Sequence, residues 1–467
     1  MPAPITASIS NTNPASAGPT TRLAMLVIAF AGLGGFLYGF DIGVISGALK
    51  FMSDELRFPA SDAGLIVASV LYGGAVATFF SGSMADRFGR RWSINVSSIV
   101  FIVGTVLVMV AGNFHMVLAG RLIEGLGVGI ITIVVPLYLA ETLPTKLRGR
   151  GIALFQLCLT FGIVIGYAVN YALKADGAWR EMFGVALIPA VVFLLGGLFV
   201  LPRSPRWLYT HGHEDEARGV LARTQGSDSV DNSLAEMKAV IAEERARGKG
   251  SWRQLFHPGY NKAFLIALGV GVFTQLTGIN VLLQFAAPLL DASGLHVAIL
   301  GSVGIGIVNF VVTIIALALV DKIGRRPLLI FGTAGIVLSM AFVGIVQAFF
   351  PESAFTGYAT LAGLMAFVVF YAVGPGVVVW LAISEVMPLA IRAKGMSVAL
   401  CANSLTSALL GNVFMWIVAG VGYAGLFFMF AACTVVYLLI AIFPLPETKG
   451  RSLEEIENEL FQSTKRA

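Results

Sequence analysis

The segment Ala85-Asp86-Arg87-Phe88-Gly89-Arg90-Arg91 returns 235 residues later as Val320-Asp321-Lys322-Ile323-Gly324-Arg325-Arg326. Each copy sits in a short polar break between two long apolar stretches. A second repeated pair supports the first: Glu141 with Arg148, and Glu385 with Arg392, each seven apart and each after an apolar run. The chain therefore reads as two related halves.

What surrounds the repeats decides the setting. Of 467 residues, 57% are hydrophobic and 12% charged, about half the charge of a soluble domain. A bilayer core about 30 Å thick takes roughly 20 apolar residues per helix. Backbone groups in lipid must be satisfied internally, so such runs are helices. Twelve runs are predicted, near 23–49, 62–84, 93–112, 116–139, 152–174, 182–201, 263–290, 297–320, 328–349, 357–383, 395–420 and 422–444. The expected organisation is a tail at 1–21, a six-helix bundle at 22–201, and a polar loop with short helices at 202–262. A second six-helix bundle at 263–444 and a tail at 445–467 complete it. The first tail, rich in Ser, Thr, Ala and Pro, lacks a basic start and reads as a disordered cytoplasmic segment rather than a signal peptide.

Lys and Arg set the expected orientation. With both termini inside, 26 of the 31 basic residues fall on the cytoplasmic side. Only Lys50, Arg57, Lys174 and Arg180 face out, and Arg121 falls within a span. Topology thus accounts for the net charge of +5 without nucleic acid as a partner. Cys158, Cys401 and Cys433 are far apart and show no metal spacing, and His211 and His213 sit in the central loop. No nucleophile–base set points to an enzyme.

Charged side chains within spans cost roughly 2.5–3.5 kcal/mol each on insertion scales, so they mark function. Asp41 lies deep in the first span, within Gly39-Phe40-Asp41-Ile42-Gly43, whose glycines permit close helix approach or a bend. Arg121 and Glu124 open the fourth span, three residues apart and on one helix face. The amides Gln156, Gln275, Asn280, Gln284, Asn309 and Asn403 also fall inside spans. An amide there serves either as an interhelical hydrogen bond or as a partner for ligand hydroxyls.

The chain resembles the sugar porter family of the major facilitator superfamily over nearly its whole length after residue 22. The motifs occur in the family's order. They begin with Gly82-Ser83-Met84-Ala85-Asp86-Arg87-Phe88-Gly89-Arg90-Arg91 and Gly120-Arg121-Leu122-Ile123-Glu124-Gly125. Pro136-Leu137-Tyr138-Leu139-Ala140-Glu141 leads into Leu147-Arg148-Gly149, and Pro202-Arg203-Ser204-Pro205-Arg206-Trp207-Leu208 opens the loop. Gln275-Leu276-Thr277-Gly278-Ile279-Asn280, then Gly374-Pro375-Gly376 through Trp380, and finally Pro446-Glu447-Thr448-Lys449-Gly450 complete the series.

The resemblance implies an all-α membrane protein with twelve transmembrane helices in two pseudo-symmetric six-helix halves, the major facilitator fold. It implies sugar:proton symport of a hexose or pentose by alternating access, with no cofactor and the proton as coupling ion. The partners would be a monosaccharide, the proton and the lipid bilayer of a plasma or bacterial inner membrane, the carrier acting as a monomer. Asp41 matches the family's proton-binding carboxylate and Arg121 its partner cation. Glu124 is a departure, since the family usually has an uncharged residue there; it either neutralises Arg121 or joins the proton pathway. Tyr38, Gln156, Gln275, Asn280, Asn309, Trp380 and Asn403 match substrate positions. Gln284 stands where Tyr is common, Thr274 precedes Gln275 where a second Gln is usual, and Ser404 replaces an aromatic. Arg203 replaces a Glu, which would weaken one inner contact. Asp86, Arg87, Arg90, Arg91, Glu141, Arg148, Asp321, Arg325, Arg326, Glu385 and Arg392 would form a cytoplasmic ion-pair gate. A passive facilitator, a carrier of a polyol or cyclic acid, and a transporter-like sensor remain alternatives; Asp41 argues against the first, because the family's uniporters tend to lack it.

The two halves differ where Gly39-Phe40-Asp41-Ile42 meets its counterpart Gly278-Ile279-Asn280-Val281. A carboxylate titrates, whereas an amide donates and accepts without titrating. The first half is therefore expected to handle the proton and the second most of the sugar contacts.

Overall fold

The computed structural model describes residues 22–226, 230–247, 255–257, 260–350, 352–388, 391–451 and 455–456. The tail at 1–21, most of the tail beyond 451 and parts of the central loop lie outside these described residues.

The first half contains α1 (Arg22–Leu56), α2 (Ala60–Phe88), α3 (Arg90–Met109), α4 (Phe114–Thr142) and α5 (Thr145–Leu173). Its sixth span is interrupted at residues 185–186 into α6 (Trp179–Gly184) and α7 (Leu187–Phe199). The loop carries α8 (Pro205–Thr210), α9 (Glu214–Gln225) and α10 (Val230–Arg247). Leu221, Val230 and Leu234 hold α9 and α10 together, with Tyr209 of α8 against them, so the expected short helices form a small core of their own. The second half contains α11 (Asn261–Leu276), α12 (Ile279–Gln284), α13 (Ala286–Ala292), α14 (Ala298–Ile323) and α15 (Arg325–Phe349). It ends with α16 (Ala354–Val373), α17 (Pro375–Val386) and α18 (Arg392–Ile442).

Eleven helical segments among the described residues are long and apolar enough to cross a membrane. The twelfth span is contained in α18. Its 51 residues would extend about 75 Å at 1.5 Å per residue, more than twice a bilayer core. Gly422, at φ 71° and ψ 175°, breaks the helix and turns it into two spans. The result is a twelve-helix, two-half membrane protein.

Besides the sixth, two further spans read as continuous in the sequence are broken. The seventh stops at Thr277-Gly278, where Gly278 takes φ 88°, a left-handed conformation that favours glycine. It stops again at Phe285. The tenth is interrupted at Gly374, before Pro375 opens α17 with no amide hydrogen to continue the ladder. Apolar periodicity spans such interruptions, because the residues around them stay hydrophobic.

Lipid is as apolar as leucine, so packing and close approach hold the helices together. Gly35, Gly39 and Gly43 form a stripe on α1, and a Cβ at each would run into the carbonyl oxygens of Phe155, Leu159 and Ile163 on α5. The glycines flanking Asp41 therefore serve close approach, and α1 runs through them as one continuous helix.

One apolar cluster runs through the first half and crosses into the second through Ile279, Phe285, Leu290, Ile305 and Phe414. A second cluster, including Ala263, Val320, Leu328, Ile383 and Tyr437, lies in the second half and takes in Leu255 of the loop and Ile456 of the tail. The contacts that join the halves lie toward the end away from the repeated basic segments. Lys50 reaches Asp291 at 3.0 Å, the Ala287 amide donates to Ser46 Oγ at 3.0 Å, and Tyr167 donates to the Leu283 carbonyl at 2.6 Å. Phe161 meets Phe310 at 5.4 Å between centroids, and Asn412 donates to Tyr72 at 3.4 Å. The halves thus close on one another at the end opposite the basic segments.

Candidate functional site

Inside the first half lies a cluster of three ionisable side chains. Asp41 of α1 is 3% exposed, Arg121 of α4 is 0% and Glu124 of α4 is 1%. Arg121 Nη1 contacts Asp41 Oδ1 and donates to Glu124 Oε2 at 2.9 Å. The ring of Phe183 covers the guanidinium at 5.3 Å. Arg121 Nε and Nη2 have no hydrogen-bond partner among the described residues. The sequence puts Arg121 at the opening of its span. In fact α4 begins at Phe114, so Arg121 stands about two turns inside, and a snorkelling role is excluded by its burial.

The amides of the second half gather at the break in the seventh span. Gln275 Nε2 donates to Asn403 Oδ1 at 3.2 Å, and Asn280 Nδ2 donates to Gln275 Oε1 at 2.9 Å and to Ser407 Oγ at 3.0 Å. Asn403 Nδ2 donates to the Gly271 carbonyl at 2.8 Å, and Thr274 donates to the Tyr437 hydroxyl at 2.7 Å. The left-handed Gly278 makes this cluster possible, because it swings Asn280 back toward Gln275. Gln284 is 2% exposed, and its Nε2 has no partner among the described residues.

The other residues expected at the substrate site lie on α1, α5, α14 and α17. Gln156 and Asn309 lie on α5 and α14, which touch through Phe161 and Phe310. Tyr38 is half-buried on α1, three residues before Asp41. Trp380 is 47% exposed, on the face of α17 turned away from buried Val378 and Ala382.

The basic segments form two matching clusters, one per half. Arg90 joins Asp86 and Glu141, each at 2.8 Å, and Arg325 reaches Glu385 at 3.4 Å. Arg91 donates to the Gly197 and Leu198 carbonyls, and Arg326 to those of Ala441 and Ile442. Arg148 donates to the Leu143 carbonyl at 3.2 Å, and Arg392 does the same to Met387. Arg87 lies over Phe88. The Asp321 side chain lies outside the described residues.

Further members of these clusters escaped the sequence reading. Ser204 donates to Glu141 at 2.5 Å, and Thr448 donates to Glu385 at 2.6 Å. The signal was available: Pro202-Arg203-Ser204 and Pro446-Glu447-Thr448 repeat Pro-x-Ser/Thr after the sixth and twelfth spans. Glu447 accepts from the backbone amides of Arg325 and Arg326 at 3.1 Å and so caps α15. Its counterpart Arg203 cannot accept, and turns to Glu216 at 3.5 Å.

Two broken-helix halves, a buried ion cluster in one and an amide cluster in the other define a membrane transporter. The family described as "Sugar (and other) transporter" matches residues 27–460, and the chain belongs to it. It is similar to the putative metabolite transport protein YwtG of Bacillus subtilis, 38% identical over 92% of this chain and 94% of that protein. It is also similar to the galactose-proton symporter of Escherichia coli K12, 34% identical over 95% of this chain and 96% of that one. Among solved structures, the inward open conformation of the xylose transporter XylE from E. coli superimposes with a TM-score of 0.80. That match has 27% identity and covers 93% of this chain and 99% of the other.

Proposed function

We propose that the protein is a secondary active transporter that carries a monosaccharide, hexose or pentose, together with a proton by alternating access. The buried contact between Asp41 and Arg121 carries this reading. Removing a carboxylate and a guanidinium from water costs several kcal/mol per ion, which only good pairing geometry offsets, so a buried pair between two helices marks a role beyond stability. A carboxylate on one helix, against a cation on another, can take a proton when the pair separates. The named relatives that couple a sugar to a proton support the same reading.

In this proposal the first bundle, 22–201, handles the proton through Asp41 and Arg121. The second, 263–444, presents Gln275, Asn280, Gln284, Asn309 and Asn403, with Tyr38, Gln156 and Trp380 completing the sugar site. The two basic clusters act as the gate, with Asp86, Glu141, Glu385 and their arginines exchanging partners between states. Arg90–Glu141 is buried and Arg325–Glu385 half-buried in this state, so breaking the gate must bring these charges into contact with water. Both termini and the basic clusters face the cytoplasm of a plasma or bacterial inner membrane, and the monomer is the working unit. The contacts at the opposite end then correspond to the state open to the cytoplasm. A polyol carrier on the same scaffold is the second reading, favoured by relatives that include a probable polyol transporter.

Reconstituted protein should accumulate labelled sugar when a pH gradient is applied. A membrane potential supplies about 2.3 kcal/mol per charge per 100 mV, enough for accumulation of about fifty-fold. Asp41→Asn should still exchange sugar but lose accumulation. Absence of gradient-driven uptake by the unmodified protein would defeat symport, and accumulation by Asp41→Asn would remove Asp41 as the coupling site.

A further inference from the structure

Resting on the symport reading, we infer that Glu124 is the fixed counter-ion of Arg121, making the proton-loaded carrier the electrically neutral form of the buried cluster. Glu124 and Arg121 share α4 three residues apart, so a movement of α1 does not by itself part them, whereas Asp41 meets Arg121 from α1. With both carboxylates ionised, the cluster holds two negative charges and one positive. One proton, taken from solution onto Asp41, brings it to zero. Without Glu124 the proton-free pair would be neutral and the loaded carrier would bury a positive charge. Glu124 therefore favours proton binding and moves the electrical work to the return of the empty carrier.

The surroundings are built for this carboxylate. A Cβ at Gly104 of α3 would come within 2.7 Å of Glu124 Cγ and 2.5 Å of its amide nitrogen, so glycine there makes the room. Thr105 of α3 faces Glu124, and Phe183 of α6 covers Arg121; neither carries a charge. The charged groups facing Glu124 are Arg121 and Asp41, with Tyr38 of α1 near Asp41. A pair of carboxylates on one cation titrates as a unit, so the charge count belongs to the cluster.

The test is sugar transport in proteoliposomes by the unmodified protein, Glu124→Gln and Glu124→Asp. Gradient-driven accumulation by the unmodified protein is established first, and its absence overturns symport and this proposal together. Once it is present, half-maximal uptake by Glu124→Gln should require at least tenfold more protons, a shift of one pH unit or more toward acid. Glu124→Asp should restore the original profile. Sugar exchange at saturating proton on both sides should be insensitive to voltage in the unmodified protein and voltage-dependent in Glu124→Gln. A Glu124→Gln variant with an unchanged pH profile and voltage-insensitive exchange overturns the counter-ion role while leaving symport standing. If Glu124→Gln does not fold, voltage-dependent exchange in the unmodified protein overturns the role by itself.

Discussion

Gln284 buries an amide whose nitrogen has no partner among the described residues. An unsatisfied buried donor costs about 1–3 kcal/mol, which a ligand hydroxyl would recover on binding. Replacing Gln284 with Leu keeps the volume and removes the donor. Transport assays should then show KM raised about two- to tenfold, the worth of one hydrogen bond, with the pH profile unchanged. A rise in thermal stability with KM unchanged would mark the amide as a structural orphan instead. At this scale the sequence was informative about which residues are polar inside a span, and Asp41, Arg121 and Glu124 do meet. It was silent about geometry. Gln275, Asn280 and Asn403 converge because Gly278 breaks the helix, and a left-handed glycine inside an apolar run gives no periodic signal. Trp380 shows the converse, since its residue type and motif do not reveal that it stands on the open face of α17.

Between elements, the two basic clusters repeat several described contacts, and one difference between them has a measurable consequence. Glu447 caps α15 by accepting from the Arg325 and Arg326 amides, while α3 begins at Arg90 with no side-chain cap. A carboxylate at a helix N-terminus contributes about 0.3–1 kcal/mol. Arg203→Glu should therefore dock the segment after the sixth span onto α3. A rise in Tm of the detergent-solubilised protein is expected, and no change would show that the first half has repacked around Arg203. The repeat Asp-x-x-Gly-Arg-Arg and its acidic partners were legible because polar residues in an apolar chain stand out. Ser204 and Thr448 were overlooked because a lone hydroxyl in a polar loop does not. Helix number was legible for the same reason, down to the pair of spans inside α18, which only Gly422 separates.

Across the whole molecule, the balance between states depends on what holds the closed end shut. The contacts there differ in worth. Lys50 and Asp291 are both well exposed, and such a pair contributes about 0–1 kcal/mol. Tyr167 is fully buried, and its hydroxyl donates at 2.6 Å to the Leu283 carbonyl on α12, the short segment between the two breaks of the seventh span. Removing that hydroxyl leaves a buried carbonyl short of a donor and loosens the closed end by about 0.5–1.5 kcal/mol, up to about tenfold in population. The ring of Tyr167 also lies against Gly306 of α14, so Tyr167→Phe keeps the packing and tests the hydrogen bond alone. Spin labels at exposed Arg57 and His296, one in each half at that end, would report the separation. Tyr167→Phe should enlarge the long-distance population, and Lys50→Ala should leave the distribution almost unchanged. Equal responses of the two variants would mean that the apolar contact across Phe161 and Phe310, rather than any polar bond, holds the halves together.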